Sequence, residues 1–347
     1  MSEAATSTPV TLITGFLGSG KTTLLNSLLA NPEMGETAVL VNEFGEVGLD
    51  HLLVREISED VVLLSSGCIC CTVQGELVNS LRELFIRRLA GEIPDFTRVV
   101  IETTGLADPA PIIGTLVRDP LFKDCYRLDG IVTTVDAVHG SGQLDDHMEA
   151  VKQAALADRI VLTKSDIAQG EAIVALRARL RGLNPAAPIL AAEHGDISPD
   201  ALLNAGLFDA RTKTPQVHDW LNEDAYPTDG HDHDHDHGLD PNVNRHDDHI
   251  SSFCLTLETP LQWNRFRPWL GKLLQAEGEK LLRIKGILNV EGKEAPLALH
   301  CVQHIYYPPV TLPAWPGDDH CSRLVFITRY LGREKIESDL RELQEIR

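Results

Sequence analysis

The chain has 347 residues, enough for two ordinary domains with sizeable cores, and 43% of them are hydrophobic, as in a globular protein. No stretch approaches the roughly 18 apolar residues of a membrane span, and the first residues lack the basic and apolar regions of an export signal. The formal net charge is -20, and an acidic surface repels the phosphate backbone of nucleic acids. We therefore predict a cytoplasmic protein that binds neither nucleic acid nor a membrane.

The distribution of charge and cysteine narrows the class of protein further. Residues 250–347 contain 13 Lys and Arg against 12 Asp and Glu, so the excess of negative charge lies in residues 1–249. An acidic surface is compatible with cation binding, although most of these carboxylates need serve only solubility. The chain has 7 cysteines, an odd number, and three of them lie within four positions. This pattern is typical of reduced thiols in the cytosol rather than of a disulfide framework.

The first half of the chain predicts an α/β domain with a mostly parallel sheet. Short runs rich in Val and Ile alternate with helical stretches, which is typical of a parallel sheet covered by helices on both faces. We expect this domain to span residues 1–212. The predicted strands are Val10–Thr14, Thr37–Val41, Val61–Ser65, Val99–Glu102, Gly130–Val135, Arg159–Thr163 and Pro188–Ala192, and the predicted helices are Ser19–Leu29 and Gln74–Arg88.

The composition changes after residue 212. His alternates with Asp through most of Asp229–Asp240, and two more histidines follow at His246 and His249. A segment with almost no apolar side chains cannot bury enough surface to offset the entropy that it loses on ordering. We therefore predict that residues 213–249 form a flexible linker.

The remaining residues, 250–347, predict a smaller α+β domain. Four runs have the composition of strands, and two amphipathic stretches have the periodicity of helices. The predicted strands are Ser252–Leu257, Leu281–Val290, Leu297–Tyr307 and Arg323–Thr328, and the predicted helices are Trp263–Gln275 and Glu334–Ile346.

The segment Gly15–Thr22 matches the phosphate-binding pattern G-x-x-x-x-G-K-[ST] in full, between a predicted strand and a predicted helix. Its glycines allow backbone N–H groups to turn toward the phosphates, Lys21 reaches the β- and γ-phosphates, and the Thr22 hydroxyl is a ligand of Mg²⁺. The segment therefore predicts a P-loop nucleotide-binding protein. The residues expected to bind the nucleotide here are Gly15, Gly18, Ser19, Gly20, Lys21, Thr22 and Thr23.

A second ligand for Mg²⁺ is predicted at Glu102. Three β-branched residues precede Glu102 and deliver its carboxylate to the end of a strand, and Gly105 follows where a backbone N–H can meet the γ-phosphate. This signal is weak alone and gains weight downstream of a P-loop. We predict Lys21, Thr22 and Glu102 as the catalytic residues.

The base of the nucleotide is predicted from Thr163, Lys164 and Asp166, which end a strand in the pattern [NT]-K-x-D. The carboxylate of Asp166 can accept hydrogen bonds from guanine N1–H and the 2-amino group, whereas adenine offers no matching donors. The stem of Lys164 can lie along the face of the base. We therefore predict binding of GTP and GDP.

The loop Asn42–Gly48 follows a predicted strand and contains two carboxylates and two glycines. This composition is compatible with a switch loop that orders around Mg²⁺ and the γ-phosphate. An acidic surface turn explains the same residues equally well.

Three cysteines, Cys68, Cys70 and Cys71, follow a predicted strand and a short turn. Three thiolates in four residues can converge on one soft or borderline cation and leave a coordination position open, which favours exchange over storage. Cys68 and Cys71 also have the spacing of a redox-active C-x-x-C pair, so a redox role stays open. The sequence therefore predicts a metal site, with redox chemistry as its alternative.

The His-Asp tract is a second metal signal. Neutral imidazoles bind Zn²⁺, Ni²⁺, Co²⁺ and Cu²⁺, so the tract selects no single metal. We predict that it captures metal at high local concentration near a tighter site, and a solvated linker is the alternative. The imidazoles concerned are His231, His233, His235 and His237.

These motifs together resemble the CobW-like metal-chaperone GTPases, with the YjiA-type branch the most similar. The C-terminal segments Leu282–Gly286 and Arg323–Ile327 also resemble the CobW C-terminal domain, so the resemblance covers nearly the whole chain. Its most specific element is a Cys-x-Cys-Cys inside a GTPase. The segments that carry the resemblance in the GTPase domain are Gly15–Thr22, Asn42–Glu46, Gly67–Cys71, Glu102–Gly105 and Thr163–Asp166.

The resemblance implies slow GTP hydrolysis coupled to delivery of a divalent transition metal to a client metalloprotein. It implies Zn²⁺ for many members and cobalt or iron for others, and it places Glu43 and Glu46 near the metal and Mg²⁺ sites. We therefore predict a GTP-hydrolysing zinc metallochaperone, for which Co²⁺ or Ni²⁺ as cargo and a homo-oligomer stay open.

Three other functions are weighed against this one. A metal store or sensor would bind nucleotide without useful turnover, and a cobalt-directed GTPase would serve cobalamin synthesis or a hydratase. An ATP-dependent kinase or transporter subunit is the third, and Asp166 argues against it.

Overall fold

The structure is a computed structural model, and it describes residues 7–41, 62–65, 73–203, 221, 249–316 and 319–345. The chain forms two compact units, each with its own sheet. The predicted domain boundary near residue 212, and nearly all of the predicted linker 213–249, lie outside the described residues.

The first unit contains a seven-stranded sheet in the order β3-β2-β4-β1-β5-β6-β7. Every neighbouring pair is parallel. The strands are β1 (Thr8–Gly15), β2 (Thr37–Val41), β3 (Val62–Ser65), β4 (Arg98–Glu102), β5 (Tyr126–Asp136), β6 (Arg159–Thr163) and β7 (Ile189–Ala192).

Helices connect these strands. The helices are α1 (Lys21–Leu29), α2 (Val73–Leu89), α3 (Pro109–Arg118), α4 (Pro120–Cys125), α5 (Gly140–Asp146), α6 (Met148–Leu156), α7 (Gly170–Leu183) and α8 (Pro199–Leu202). Consecutive residues of β1, β2 and β4 are buried, so both faces of the central sheet are covered, as near-continuous apolar runs in a parallel sheet require. The predicted fold class of this unit is confirmed.

The predicted strands are all present, but β5 is longer than expected. The strand begins at Tyr126. The sequence predicts a start at Gly130 because Asp129 interrupts the apolar run. In the structure Asp129 is buried, and its carboxylate accepts a hydrogen bond of 3.2 Å from the hydroxyl of Thr11 on the neighbouring strand. A buried carboxylate with such a partner does not end a strand.

The second unit contains an antiparallel sheet in the order β11-β10-β9-β13-β8, with β12 paired to β10. The strands are β8 (Ile250–Leu257), β9 (Leu281–Leu288), β10 (Leu297–Val302), β11 (Ile305–Tyr306), β12 (Val310–Thr311) and β13 (Ser322–Arg329), and the helices are α9 (Trp263–Glu277) and α10 (Arg333–Glu345). Buried residues of both helices, such as Phe266 and Leu340, share one hydrophobic core with the sheet. The predicted α+β unit is confirmed.

The prediction of one strand over Leu297–Tyr307 is wrong. The chain turns at Gln303, whose φ of 49° lies in the left-handed region, and β10 and β11 form a tight antiparallel pair in which Val302 faces Ile305. The adjacent His304 is within 2.7 Å of the carbonyl oxygen of Leu274 in α9, which anchors the turn.

Within the part of the chain that the structure describes, none of the helices has the length and hydropathy needed to span a membrane.

Candidate nucleotide-binding site

The P-loop joins β1 to α1, and its glycines are required by the backbone. Gly18 and Gly20 have φ values of 70° and 86°, in the left-handed region that glycine adopts without a steric cost. A Cβ atom on Gly15 would overlap the side chain and carbonyl oxygen of Thr134 on β5. The loop therefore lies directly against the sheet and ends at Gly20, the N-terminal cap of α1.

Two side chains of the P-loop fix its shape. The ammonium group of Lys21 donates to the carbonyl oxygens of Gly15 and Phe16 at 3.0 and 3.2 Å, so the side chain folds back over the loop. Ser19 is fully buried, and its hydroxyl lies 2.7 Å from the hydroxyl of Thr134. The arrangement holds the only side-chain cation of the motif on the loop, where a bound phosphate would meet it.

The predicted Mg²⁺ ligands are adjacent in space. The hydroxyl of Thr22, in the first turn of α1, donates a 2.7 Å hydrogen bond to Oε1 of Glu102. Glu102 is buried at the end of β4 and is level with Ile13 on the neighbouring strand β1. Because hydroxyl and carboxylate oxygens are hard ligands of the kind that Mg²⁺ prefers, these two residues fit that ion.

The segment after β4 lies against the P-loop. A Cβ atom on Gly105 would be 2.7 Å from the backbone nitrogen of Leu17, so only glycine allows this approach. The amide of Gln153 on α6 donates to the carbonyl oxygens of Gly105 and Ala107 at 3.2 and 3.0 Å. Gln153 is buried, and it holds the segment that was predicted to meet the γ-phosphate.

The predicted base-reading segment is tied to the P-loop at two points. The hydroxyl of Thr163 donates to the carbonyl oxygen of Ser19 at 2.8 Å, and the ammonium group of Lys164 donates to that of Gly18 at 2.8 Å. Lys164 has a φ of 56°, which is uncommon for a residue other than glycine and marks a tightly held loop.

A buried carboxylate, Asp136 at the end of β5, completes this arrangement. It accepts hydrogen bonds from the ammonium group of Lys164 at 2.7 Å, from the backbone N–H of Val138 at 2.7 Å and from that of His139 at 3.1 Å. The ring nitrogen Nδ1 of His139 is also 3.1 Å away. Burial alone would raise the pKa of Asp136, but these hydrogen bonds outweigh it and hold the pKa below its ordinary value.

Asp166, the predicted reader of guanine, lies beside the loop that follows β7. Its carboxylate is 3.9 Å from Nε2 of His194, whose backbone also has a positive φ, of 53°. The next residue, Gly195, packs on the first turns of α1, where a Cβ atom would be 2.8 Å from the carbonyl oxygen of Thr23. The P-loop helix, Asp166 and this loop are therefore neighbours.

The sequence of the first unit, at residues 9–191, matches the profile of the CobW/HypB/UreG nucleotide-binding domain. The chain belongs to the CobW/HypB/UreG family. Residues 250–344 match the cobalamin synthesis protein cobW C-terminal domain, so both units of the chain have counterparts in CobW proteins. The resemblance drawn from the motifs is confirmed.

Relatives of CobW type match over most of their length. The zinc chaperone YjiA of Escherichia coli (strain K12) is 36% identical, over 95% of this chain and 96% of the relative. The zinc chaperone CobW of Pseudomonas aeruginosa is 32% identical, over 96% of this chain and 90% of the relative. The crystal structure of the Zn(II)-bound YjiA GTPase from E. coli superposes with a TM-score of 0.72 at 33% identity, covering 97% of this chain and 99% of that one.

The predicted metal ligands of this CobW-family chain lie outside the described residues. They are Glu43, Glu46, Cys68, Cys70, Cys71, His231, His233, His235 and His237. Across the described ranges, no group of three or more His, Cys, Asp or Glu side chains is arranged to hold a metal ion. Of the other cysteines, Cys301 is fully buried, and burial raises the pKa of its thiol.

Three residues at the site were not predicted from the sequence. Asp136 ends a β-branched strand just as Glu102 does, so the same signal was available for it. Gln153 reads as a surface residue of an amphipathic helix, and His194 belongs to no motif. Their roles depend on contacts between segments that are far apart in the chain.

Proposed function

We propose that this chain is a GTP-hydrolysing metallochaperone, which binds zinc at Cys68, Cys70 and Cys71 and transfers it to client proteins. The observation that carries the nucleotide part is the junction of three motifs at one edge of the sheet. The P-loop, Glu102 and the segment Thr163–Asp166 are joined by direct hydrogen bonds. The names of the relatives, zinc chaperones and a zinc-regulated GTPase metalloprotein activator, support the metal part.

In this proposal the phosphates bind at the start of α1. The backbone N–H groups of the P-loop and the ammonium group of Lys21 hold the β- and γ-phosphates. Thr22 and Glu102 would hold Mg²⁺, which when bound neutralises charge on the β- and γ-phosphate oxygens. Glu102 orients the Thr22 hydroxyl through their 2.7 Å hydrogen bond.

Guanine binds on the other side of the P-loop. Asp166 accepts hydrogen bonds from guanine N1–H and the 2-amino group, and the stem of Lys164 covers the face of the base. The loop at His194 and Gly195 packs on α1 beside Asp166. These contacts select GTP over ATP because adenine presents no donors to the carboxylate.

Zinc is the cargo, and the topology supports its placement near the γ-phosphate. Ser65, the last residue of β3, is level with Val41 on β2, and Val41 is level with Glu102 on β4. Neighbouring strands are about 4.8 Å apart, so the backbone of Ser65 is about 10 Å from that of Glu102. Ser65 lies at the carboxyl edge of the sheet, where ligands bind in open α/β folds, and Cys68 follows it by three residues in the sequence. Three thiolates are suitable ligands for zinc.

The experiment is a combined titration of one purified sample with GTP and with zinc. We expect one GTP site, phosphate release at a slow but measurable rate, and zinc binding that Cys70→Ser weakens. Lys21→Ala should abolish tight GTP binding, because it removes the only side-chain cation of the P-loop. Lys280→Ala, which removes a lysine paired with Glu277 in the second unit, is the matched control and should bind GTP normally.

Nucleotide binding without phosphate release, with or without zinc, would contradict the proposal and indicate a metal store or sensor. A clear preference for cobalt over zinc in the same titration would contradict the assignment of the cargo.

A further inference from the structure

The carboxylate of Asp136 is almost completely buried, with 2% of its side chain exposed, yet it belongs to neither the P-loop nor the base-reading motif. It lies 2.7 Å from the ammonium group of Lys164, and that ammonium group also donates to the carbonyl oxygen of Gly18. One lysine thus joins the end of β5, the end of β6 and the P-loop.

We propose that Asp136 is a positioning residue for guanine nucleotides, which acts by fixing Lys164 across the P-loop before the nucleotide arrives. The inference rests on the proposed nucleotide function and deepens it. Lys164 has a left-handed backbone conformation and a side chain that is 37% exposed. A lysine side chain with this exposure has many alternative rotamers in water, and fixing it costs conformational entropy. The ion pair with Asp136 fixes the Lys164 side chain in the free protein, so this entropy is not lost when the nucleotide binds.

The geometry of Asp136 supports a dedicated role. Its Oδ1 atom accepts from the backbone N–H groups of Val138 and His139, which fixes the carboxylate plane, and its Oδ2 atom faces Lys164. Nδ1 of His139 also lies 3.1 Å from Oδ2, but the His139 side chain is 69% exposed. Among the described residues, no hydrogen bond joins this side chain to the P-loop. Lys164 is therefore the contact that connects Asp136 to the nucleotide.

The test is a double-mutant cycle in the full-length protein, with dissociation constants for GTP and GDP measured by calorimetry. Asp136→Asn keeps an oxygen that can accept from the backbone N–H groups but loses the charge that holds Lys164. We expect it to raise the dissociation constants for GTP and GDP by the same factor, about 10-fold, which is the scale of a lost hydrogen bond to a charged group. The two factors should be equal because Lys164 lies on the base side of the P-loop, and GTP and GDP have the same base.

The partner variant is Lys164→Met, which should raise both dissociation constants by at least the same factor. Adding Asp136→Asn to Lys164→Met should have no further effect, because Asp136 acts through that lysine. His139→Ala is the matched control, since it removes one neighbour of Asp136 and leaves the pair with Lys164. It should change either dissociation constant by less than 2-fold.

Unchanged affinities in Asp136→Asn, beside weakened ones in Lys164→Met, would overturn the inference. So would factors that multiply in the double variant, because Asp136 would then support the fold independently of Lys164. Failure of the proposed function is distinct, since the wild-type protein would bind neither nucleotide. If Asp136→Asn does not fold, Asp136→Ser, whose hydroxyl can accept from the same backbone N–H groups, takes its place in the cycle.

Discussion

The hydroxyl of Thr22 and the carboxylate of Glu102 are 2.7 Å apart, although 80 residues separate them in the chain. This contact connects the first turn of the P-loop helix to the end of the neighbouring strand β4. Two of the oxygen ligands proposed for Mg²⁺ are thus preorganised. Because Glu102 is buried, water does not readily replace Thr22 as its hydrogen-bond partner. The contact provides a direct test of the catalytic assignment.

Glu102→Gln should reduce the rate of GTP hydrolysis by about 100-fold, on the scale of a lost electrostatic contact to a transition state. The amide keeps the shape of the side chain but is a poor Mg²⁺ ligand. Binding of GDP measured without Mg²⁺ should be unchanged, which serves as the internal control for folding. Hydrolysis close to the wild-type rate would remove Glu102 from the site.

Gly105→Ala should weaken GTP binding, because the added Cβ would be 2.7 Å from the backbone nitrogen of Leu17 and would displace the P-loop. Gly142→Ala is the matched control, since no atom lies within 4 Å of its added Cβ. Gly142 is inside α5, where alanine should stabilise the protein by about 0.5–1 kcal/mol. Calorimetry and thermal unfolding of both variants measure these effects. Equal GTP affinities in the two variants would show that the approach of Gly105 to the P-loop is unimportant.

Asp166→Asn should reduce the preference for GTP over ATP. The substitution replaces the carboxylate proposed to accept two hydrogen bonds from guanine with an amide that has one mismatched donor, and such a mismatch costs a few kcal/mol at a buried polar contact. Competition binding with the two nucleotides gives the ratio directly. An unaltered ratio would exclude Asp166 as the residue that reads the base.

Deletion of residues 229–248 should leave folding and GTP hydrolysis intact and reduce the number of zinc ions bound. His249 is kept because its carbonyl oxygen accepts a 2.7 Å hydrogen bond from the backbone N–H of Tyr330. The tract is too polar to belong to a core, and its imidazoles are weak metal ligands. Thermal unfolding of metal-free protein and metal counting by mass spectrometry check both parts. A large loss of stability without metal would indicate a structural role instead.

The strands of the P-loop domain could be predicted because each is a short run of Val, Ile and Leu between turn residues. Where a polar residue interrupts such a run, prediction fails locally, as at Asp129, because its partner Thr11 is on another strand. The turn at Gln303 was missed for a related reason. Neither Gln303 nor His304 is a typical turn residue, and the left-handed backbone there accompanies a contact with α9.

Some residues of the candidate site could be predicted from local sequence patterns, and others could not. The P-loop and the Thr163–Asp166 segment have local patterns that predict their chemistry, and the structure brings them into contact. Gln153 has no such pattern, and Asp136 has only the weak strand-end signal that it shares with Glu102. Each acts on a segment more than 25 residues away, so their positions depend on how strands and helices pack.

In the proposed function, GTP and zinc bind close together at the carboxyl edge of the sheet, so the binding of each should change the affinity for the other. Linkage requires that GTP change the affinity for zinc by the same factor as zinc changes the affinity for GTP, and a typical coupling of about 1–3 kcal/mol corresponds to roughly 5- to 150-fold. Since zinc competes with protons for the thiols, its affinity should also rise with pH near neutrality.

The most direct measurement is zinc competition against a chelator, with the protein free of nucleotide, bound to GDP and bound to a non-hydrolysable GTP analogue. We predict that the zinc dissociation constant differs at least 5-fold between the GDP and GTP-analogue states, and that Cys70→Ser weakens zinc binding and removes this difference. Equal zinc affinity in all three states of the wild-type protein would contradict the chaperone mechanism.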